Sequence, residues 1–342
     1  MIRSILSFLL VTGMLIILSG CGGNSAEQKK GNEELPHDKL SELKLKSEQE
    51  PENPDIFNEL ALYYLGNDNF NDALHNINKS LELEPGNTRY FITLSDIYLM
   101  MGDADRAQLI MYKALDLEPN NAEIYVNIGR IQVYTADYTR AYENLRKALE
   151  IDSYNSKAYF WRGFAKLENR DTLAAINDWQ LAVANDPESF DGYFQLGLLM
   201  AERNDRFAFD YLDHALRLAP SEPELLYDIG MALQEIQRFS KAIESYERIL
   251  ALDSCFYKAW FNIGYINLVE LEEFNIAIEY FSKAVKCNPD YIEAVYNRGL
   301  AYEMLGQFDN ARKEYRTALD ARINYPNAIE GLNRLDQIQS VQ

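Results

Sequence analysis

Residues 292–325 read IEAVYNRGLAYEMLGQFDNARKEYRTALDARINY, and near-copies of this stretch fill most of the chain before it. The copy in residues 257–291 keeps the same order of aromatic, small and aliphatic residues. Pro85 and Pro119 mark the period, because they stand 119 − 85 = 34 residues apart. This is the period of a helix–turn–helix repeat, and it indicates an array in which each unit contacts mainly its neighbours.

The spacing of residues within one unit resembles the tetratricopeptide repeat (TPR) family. In that family an aromatic residue, Leu-Gly and Tyr are followed by Ala, an aromatic residue and Pro. In the quoted stretch Gly299 and Tyr302 are followed by Ala311, Tyr315 and Ala318. The resemblance implies an all-α fold, a right-handed TPR superhelix (α-solenoid) of about eight helix–turn–helix repeats with capping helices.

We predict five segments along the chain. They are a lipoprotein signal peptide (1–20), a lipidated cysteine with a flexible tether (21–36), an amino-terminal capping half-repeat (37–53), eight TPR units (54–325) and a carboxyl-terminal capping helix (326–342). In each unit we call the first helix A and the second helix B. Gly or Ala at the eighth position of most A helices predicts close approach of the two helices.

The amino-terminal residues have the features of a secretory signal. Arg3 precedes an apolar run from Ile5 to Leu18, which is short for a membrane span. The run ends in the sequence LSGC, which resembles the lipobox of bacterial lipoproteins and implies that Cys21 carries lipid. The alternatives are an ordinary signal peptide with an incidental cysteine, or an uncleaved anchor. Because Gly22 rather than Asp follows the cysteine, the resemblance implies a lipid-anchored protein of the bacterial cell envelope, at the outer membrane facing the periplasm.

Composition argues against nucleic acid as a partner and against catalysis. The formal charge is −20, and a surface this acidic repels phosphate backbones. His37, His75 and His214 lie far apart, with no ligand at metal spacing beside them, and the sequence has no phosphate-binding glycine loop. We therefore expect no cofactor, no metal and no enzymatic activity.

The resemblance to TPR proteins implies that A helices line a concave groove, with positions five and nine facing it. From the fourth unit onward these positions are mostly aromatic, a pattern suited to a peptide with apolar side chains. The alternative is that these rings fill the core between neighbouring helices. The residues assigned to the groove are Phe160, Phe164, Phe194, Tyr227, Met231, Phe261, Tyr265 and Tyr296, with Asn127, Asn262 and Asn297 at position six.

Two further features leave alternatives open. The three asparagines can hydrogen-bond a bound peptide or, instead, groups of their own backbone. Cys255 and Cys287 flank the seventh unit at the same edge of its hairpin. Adjacent helix axes are about 8–10 Å apart and a disulfide needs Cα atoms within about 7 Å, so we expect two separate thiols.

The prediction for function is a non-catalytic, membrane-anchored adaptor that binds a partner peptide in its groove. A rival is a surface-displayed lipoprotein that binds polysaccharide or peptide, with the aromatic residues stacking on sugars. A third reading is the regulatory TPR subunit of an envelope enzyme. TPR motifs specify the fold and say little about the process served.

Overall fold

The computed structural model describes residues 39–219 and 221–341, and these residues form helices joined by turns, with no strand among them. The predicted signal peptide, Cys21 and the tether lie outside the described residues. The prediction of an all-α repeat fold is confirmed. The helices are α1 Lys39–Gln49, α2 Pro54–Leu65, α3 Phe70–Leu83, α4 Thr88–Met100, α5 Ala104–Leu117, α6 Ala122–Tyr134, α7 Tyr138–Ile151, α8 Ser156–Glu168, α9 Thr172–Asn185, α10 Phe190–Glu202, α11 Ala208–Leu218, α12 Pro223–Glu235, α13 Phe239–Leu252, α14 Tyr257–Val269, α15 Phe274–Cys287, α16 Ile292–Met304, α17 Phe308–Ala321 and α18 Pro326–Val341.

The turn between helix A and helix B is alike in all eight hairpins of the described chain. Each contains one residue with a positive φ, which reverses the chain direction after helix A. Gly102 and Gly306 adopt this conformation, with φ of 79° and 69°, at no steric cost. The other hairpins use residues with a side chain, namely Asp68, Ala136, Arg170, Asn204, Gln237 and Glu272.

The chain divides into two compact units, each of which contains several repeats. From here on, unit 1 is residues 1–192 and unit 2 is residues 193–342. In the described part of unit 1, each B helix from α3 to α7 packs on its own A helix and on the next A helix, and α9 packs on α8. Helix α1 covers the start of this stack, where Leu43 packs against Ile56 and Leu60 of α2. The buried side chains of each hairpin pack against the neighbouring hairpins, so the core runs along the stack.

Unit 2 repeats this packing from α12 to α18, and its small residues explain how closely the helices approach. At Gly230 of α12, an added Cβ atom would lie 2.5 Å from Cε1 of Tyr246 on α13. Gly264 and Gly299 face Phe281 and Tyr315 in the same way. Because these large side chains fill the space over a glycine, the helix A to helix B interface has no room for a methyl group.

Candidate functional site

In unit 1 the residues assigned to the groove are largely packed inside. Phe164 is 6% exposed, and its ring centroid lies 5.1 Å from those of Phe160 and Trp179. The expectation that Phe164 faces an open groove is therefore wrong, because the ring completes an aromatic core cluster. Phe160 is half-buried, with one side on this cluster.

In the preceding repeat of unit 1, the residues at positions five and nine are also buried. Val126 and Arg130 occupy positions five and nine of α6, and both are buried. The guanidinium of Arg130 pairs with the carboxylate of Asp96 on α4. A buried arginine needs such a partner, because an unpaired buried charge is strongly destabilising. The equivalent positions in this unit thus form an internal contact and leave little apolar surface open.

In unit 2 the first assigned residue is also buried. Phe194 of α10 is 1% exposed, and every residue from 194 to 201 is buried. The expectation that Phe194 faces an open groove is wrong, because its side chain lies in this buried run. The other assigned side chains of unit 2 at positions five and nine remain half-buried, each with part of its surface in solvent. They are Tyr227, Met231, Phe261, Tyr265 and Tyr296, which we call the aromatic face.

The rings at position five of the aromatic face sit on a repeating three-ring cluster. Each packs on the large ring of its own B helix and on a second ring placed just before the next A helix, with centroids 5.0–5.9 Å apart. Each ring at position five is half-buried because part of it packs on these two rings while the rest is in contact with solvent. The clusters are Tyr227 with Tyr246 and Phe256, Phe261 with Phe281 and Tyr291, and Tyr296 with Tyr315 and Tyr325.

Sequence reasoning missed the second ring, although the period carried a signal for it. Phe256, Tyr291 and Tyr325 each stand directly before an A helix, at intervals of 35 and 34 residues. Before α2, α4, α6 and α8 of unit 1 the same position is asparagine, whose side chain accepts a hydrogen bond from a backbone N–H of the helix that it precedes. Before α14 and α16 the aromatic residue makes no such cap. Unit 2 therefore replaces a helix cap, worth about 1 kcal/mol, by ring packing.

The asparagines at position six divide into two groups. Asn127 and Asn297 each donate from Nδ2 to the backbone carbonyl four residues earlier, that of Glu123 and that of Glu293. Their donors are thus used by their own helices, as the second of the two alternatives expects. Asn262 differs, since its Nδ2 donates across the repeat boundary to Sδ of Met231 at 3.2 Å.

Asn262 is buried, so the expectation that it faces an open groove is wrong, and its contact with Met231 joins α14 to α12. Burial raises the pKa of Tyr227, and the neighbouring charge of Asp228 acts in the same direction. The phenol is therefore protonated at neutral pH and serves as a hydrogen-bonding group at the surface.

Asp228, the next residue of α12, is the titratable group of this site that sequence reasoning missed. Its side chain is half-buried, and no hydrogen bond or ion pair joins its carboxylate to another described residue. Burial raises the pKa of Asp228 to about 6, Glu224 adds to the shift, and Lys258 of α14 opposes it. A carboxylate in this position is poorly solvated, and Lys258 acts on it without forming an ion pair.

The expectation of two separate thiols is wrong, because Cys255 and Cys287 form a disulfide with Cα atoms 5.3 Å apart. The spacing of helix axes does not limit this pair. Cys255 lies in the turn before α14 and Cys287 is the last residue of α15, so the two backbones converge beyond the packed helices. Phe256 follows Cys255 directly, which places the disulfide beside a ring that supports the aromatic face.

No helix in the described part of the chain is both long enough and apolar enough to cross a membrane. Among those same residues, no group of three or more His, Cys, Asp or Glu side chains is placed to hold a metal ion.

Comparison with known proteins identifies the repeats. One tetratricopeptide repeat profile matches residues 266–327, and another matches residues 88–121, 122–155 and 223–254. The crystal structure of the C-terminal part of a TPR repeat-containing protein from Cytophaga hutchinsonii has a TM-score of 0.58 and 19% identity. It covers 72% of this chain and 99% of that one. At this identity the likeness concerns the fold alone.

Relatives of similar sequence match only in part. Tetratricopeptide repeat protein 8 of Caenorhabditis elegans is 32% identical over 110 residues, which are 32% of this chain and 22% of that protein. Protein O-mannosyl-transferase TMTC1 of Mus musculus is 34% identical over 87 residues, which are 24% of this chain and 9% of that protein. This chain thus spans under a quarter of either relative, and the transferase activity in the second name belongs to that protein. The profile matches show that this chain carries tetratricopeptide repeats at residues 88–155, 223–254 and 266–327.

Proposed function

We propose that this protein is a non-catalytic scaffold that binds a segment of a partner protein on the aromatic face of unit 2. Repeats of this family serve in protein–protein interaction, which supports a protein as the partner. The observation that carries the proposal is the half-buried state of Tyr227, Phe261 and Tyr296. Each of these rings is held in place by the two rings on which it packs. The exposed parts therefore form a rigid apolar surface that loses little entropy on binding.

The polar groups at the same surface supply direction. Tyr227 and Tyr265 are half-buried among the apolar side chains, and their hydroxyls can hydrogen-bond a peptide backbone. Apolar contact with a few convergent polar groups is the usual composition of a peptide-binding surface.

A residue-specific crosslinking experiment tests this proposal. A photo-crosslinking amino acid is placed at Tyr265 in the full chain, which is expressed in its native cells. Tyr154 of unit 1, which is 78% exposed and outside the aromatic face, is the matched control position. We expect crosslinks from position 265 to one contiguous segment of a partner, and a synthetic peptide of that segment should compete. Equal crosslinking from both positions, or none from position 265, would contradict the proposal.

We also propose that the protein is held at the bacterial envelope by lipid on Cys21, with the repeats in the periplasm. The lipobox-like sequence before Cys21 and the polar tether after it support this location. The disulfide supports it too, since disulfides persist in oxidising compartments beyond the cytosol.

Fractionation of cells tests the anchor. The Cys21→Ser variant should move from the membrane to the soluble fraction and should lose incorporation of labelled palmitate. Treatment of intact cells with protease should leave a periplasmic protein uncut, whereas a surface-displayed one is degraded. Membrane retention of the Cys21→Ser variant would argue against lipid as the anchor.

A further inference from the structure

We infer that the aromatic face binds a partner segment in which a Lys or Arg side chain lies among apolar residues, and that Asp228 is the residue that pairs with this cation. The inference rests on the proposed function, because it specifies which polypeptide the face accepts. It is carried by an unpaired carboxylate at the edge of an apolar surface and by the charges around it.

Asp228 differs from two other half-buried carboxylates of unit 2, Glu303 and Glu314. Glu303 accepts hydrogen bonds from Arg334 at 2.9 Å, and Glu314 pairs with Arg298 at 2.7 Å. These pairs show the usual solution, in which a poorly solvated carboxylate is neutralised within the protein. Asp228 has no such ion pair, so its desolvation is offset only in part, by Lys258, until a cation arrives from outside.

The ring beside Asp228 is also suited to a cation. The ammonium of Lys258 lies 5.9 Å from the ring centroid of Tyr227, at the outer limit of a cation–π contact. Lys258 is exposed and makes no ion pair with Asp228, so its flexible side chain can be displaced without loss of a fixed contact. A guanidinium or ammonium from a partner can then contact the phenol ring and the carboxylate together.

The charges around this position favour a cation over an anion. Glu224 is exposed one turn before Asp228 on α12 and adds a second negative charge, while Lys258 acts on Asp228 in the opposite direction. The whole chain carries a formal charge of −20, which attracts basic segments at long range. An acidic peptide would bring a further negative charge towards Asp228 and Glu224, with Lys258 as the nearby cation.

The apolar part of the segment is required by the rest of the surface. Met231 and Tyr265 occupy position nine of α12 and α14 and are half-buried on the same face as Tyr227 and Phe261. A purely basic peptide would leave this area uncovered. The fitting ligand therefore has one cation for Asp228 and apolar side chains for the rings.

A peptide-display experiment on the full chain tests the inference. Random dodecapeptides are selected on the wild-type protein, and the strongest binders are synthesised with a fluorescent label. Each is also made with its Lys or Arg residues replaced by Gln. Affinities are measured for wild type, Asp228→Asn, Glu235→Gln and Tyr265→Ala. Glu235→Gln removes an equal charge from the same helix at an exposed position and is the matched control.

We expect the selected peptides to combine Lys or Arg with apolar residues. Loss of the cation should weaken binding to wild type and to Glu235→Gln by about tenfold or more, and should leave binding to Asp228→Asn nearly unchanged. Peptides that require Tyr265 but show no preference for a cation, or a preference that survives Asp228→Asn, would overturn this inference and leave the proposed function standing. A selection that yields no peptide dependent on Tyr265 would overturn both.

Discussion

Reduction of the Cys255–Cys287 disulfide should lower the thermal stability of unit 2 by a large and calculable amount. The two cysteines are 32 residues apart in sequence. In the chain-entropy treatment, releasing a loop of this length gives the unfolded chain about 3.7 kcal/mol of added conformational freedom at 25 °C. Unit 2 comprises residues 193–342, and for domains near this size 1 kcal/mol corresponds to about 2–4 °C. The expected fall in melting temperature is about 7–15 °C.

Differential scanning calorimetry of the full chain, with and without a phosphine reductant, measures this fall. The covalent link is verified first, because a non-reducing tryptic digest should join residues 249–258 to residues 287–298. The Cys255→Ser/Cys287→Ser variant should melt like the reduced wild type, and the reductant should not shift it further. If the peptides are linked and reduction leaves melting unchanged, the entropic argument for this loop is refuted.

Three other substitutions test the packing and the charge of unit 2. Gly230→Ala should lower the free energy of unfolding in urea by about 1–3 kcal/mol, because the added Cβ atom would meet the buried ring of Tyr246. Gly66→Ala in unit 1 is the control, because a Cβ atom there makes only ordinary contacts at 3.5 Å, and it should be neutral or slightly stabilising. Tyr291→Asn should lower the free energy of unfolding by about 1–3 kcal/mol although asparagine can cap the helix, because two ring contacts are lost. Tyr291→Phe keeps the ring and should be nearly neutral. Equal stability of the two variants would contradict the ring cluster. Folding raises the pKa of the Asp228 carboxyl group. This group therefore contributes most to stability below pH 4, and the contribution is lost as the pH rises through about 6. Asp228→Asn should therefore exceed wild type in stability at pH 7.5, by up to about 3 kcal/mol, with the gap closing near pH 4, whereas Glu235→Gln should show no such pH-dependent gap.

The all-α repeat fold could be predicted because it depends on a period, which one sequence displays many times over. Gly230, Gly264 and Gly299 recur at the position where a B-helix ring leaves no room for a side chain, and this requirement is visible as spacing. The exposure of a single ring could not be predicted in the same way. Phe194 and Phe261 share position five, yet one is 1% exposed and the other half-buried, because exposure depends on how completely neighbouring helices cover each repeat.

The disulfide and Asp228 escaped sequence reasoning for related reasons. The distance between Cys255 and Cys287 is set where two helix ends converge, and the regular spacing of helix axes says nothing about such ends. Asp228 occupies the same position as Asn262, and a sequence does not reveal that its carboxylate is partly buried without a partner. Both features are properties of individual sites rather than of the repeat.

The change from asparagine caps in unit 1 to rings such as Phe256 and Tyr291 in unit 2 affects the response to cold. Removing apolar ring surface from water carries a heat-capacity change, so the benefit of these joints shrinks as temperature falls. A cap that joins an asparagine oxygen to a backbone N–H buries little apolar surface and lacks this dependence. Cooling therefore weakens the ring contacts before the A helices of unit 2 more than it weakens the asparagine caps of unit 1.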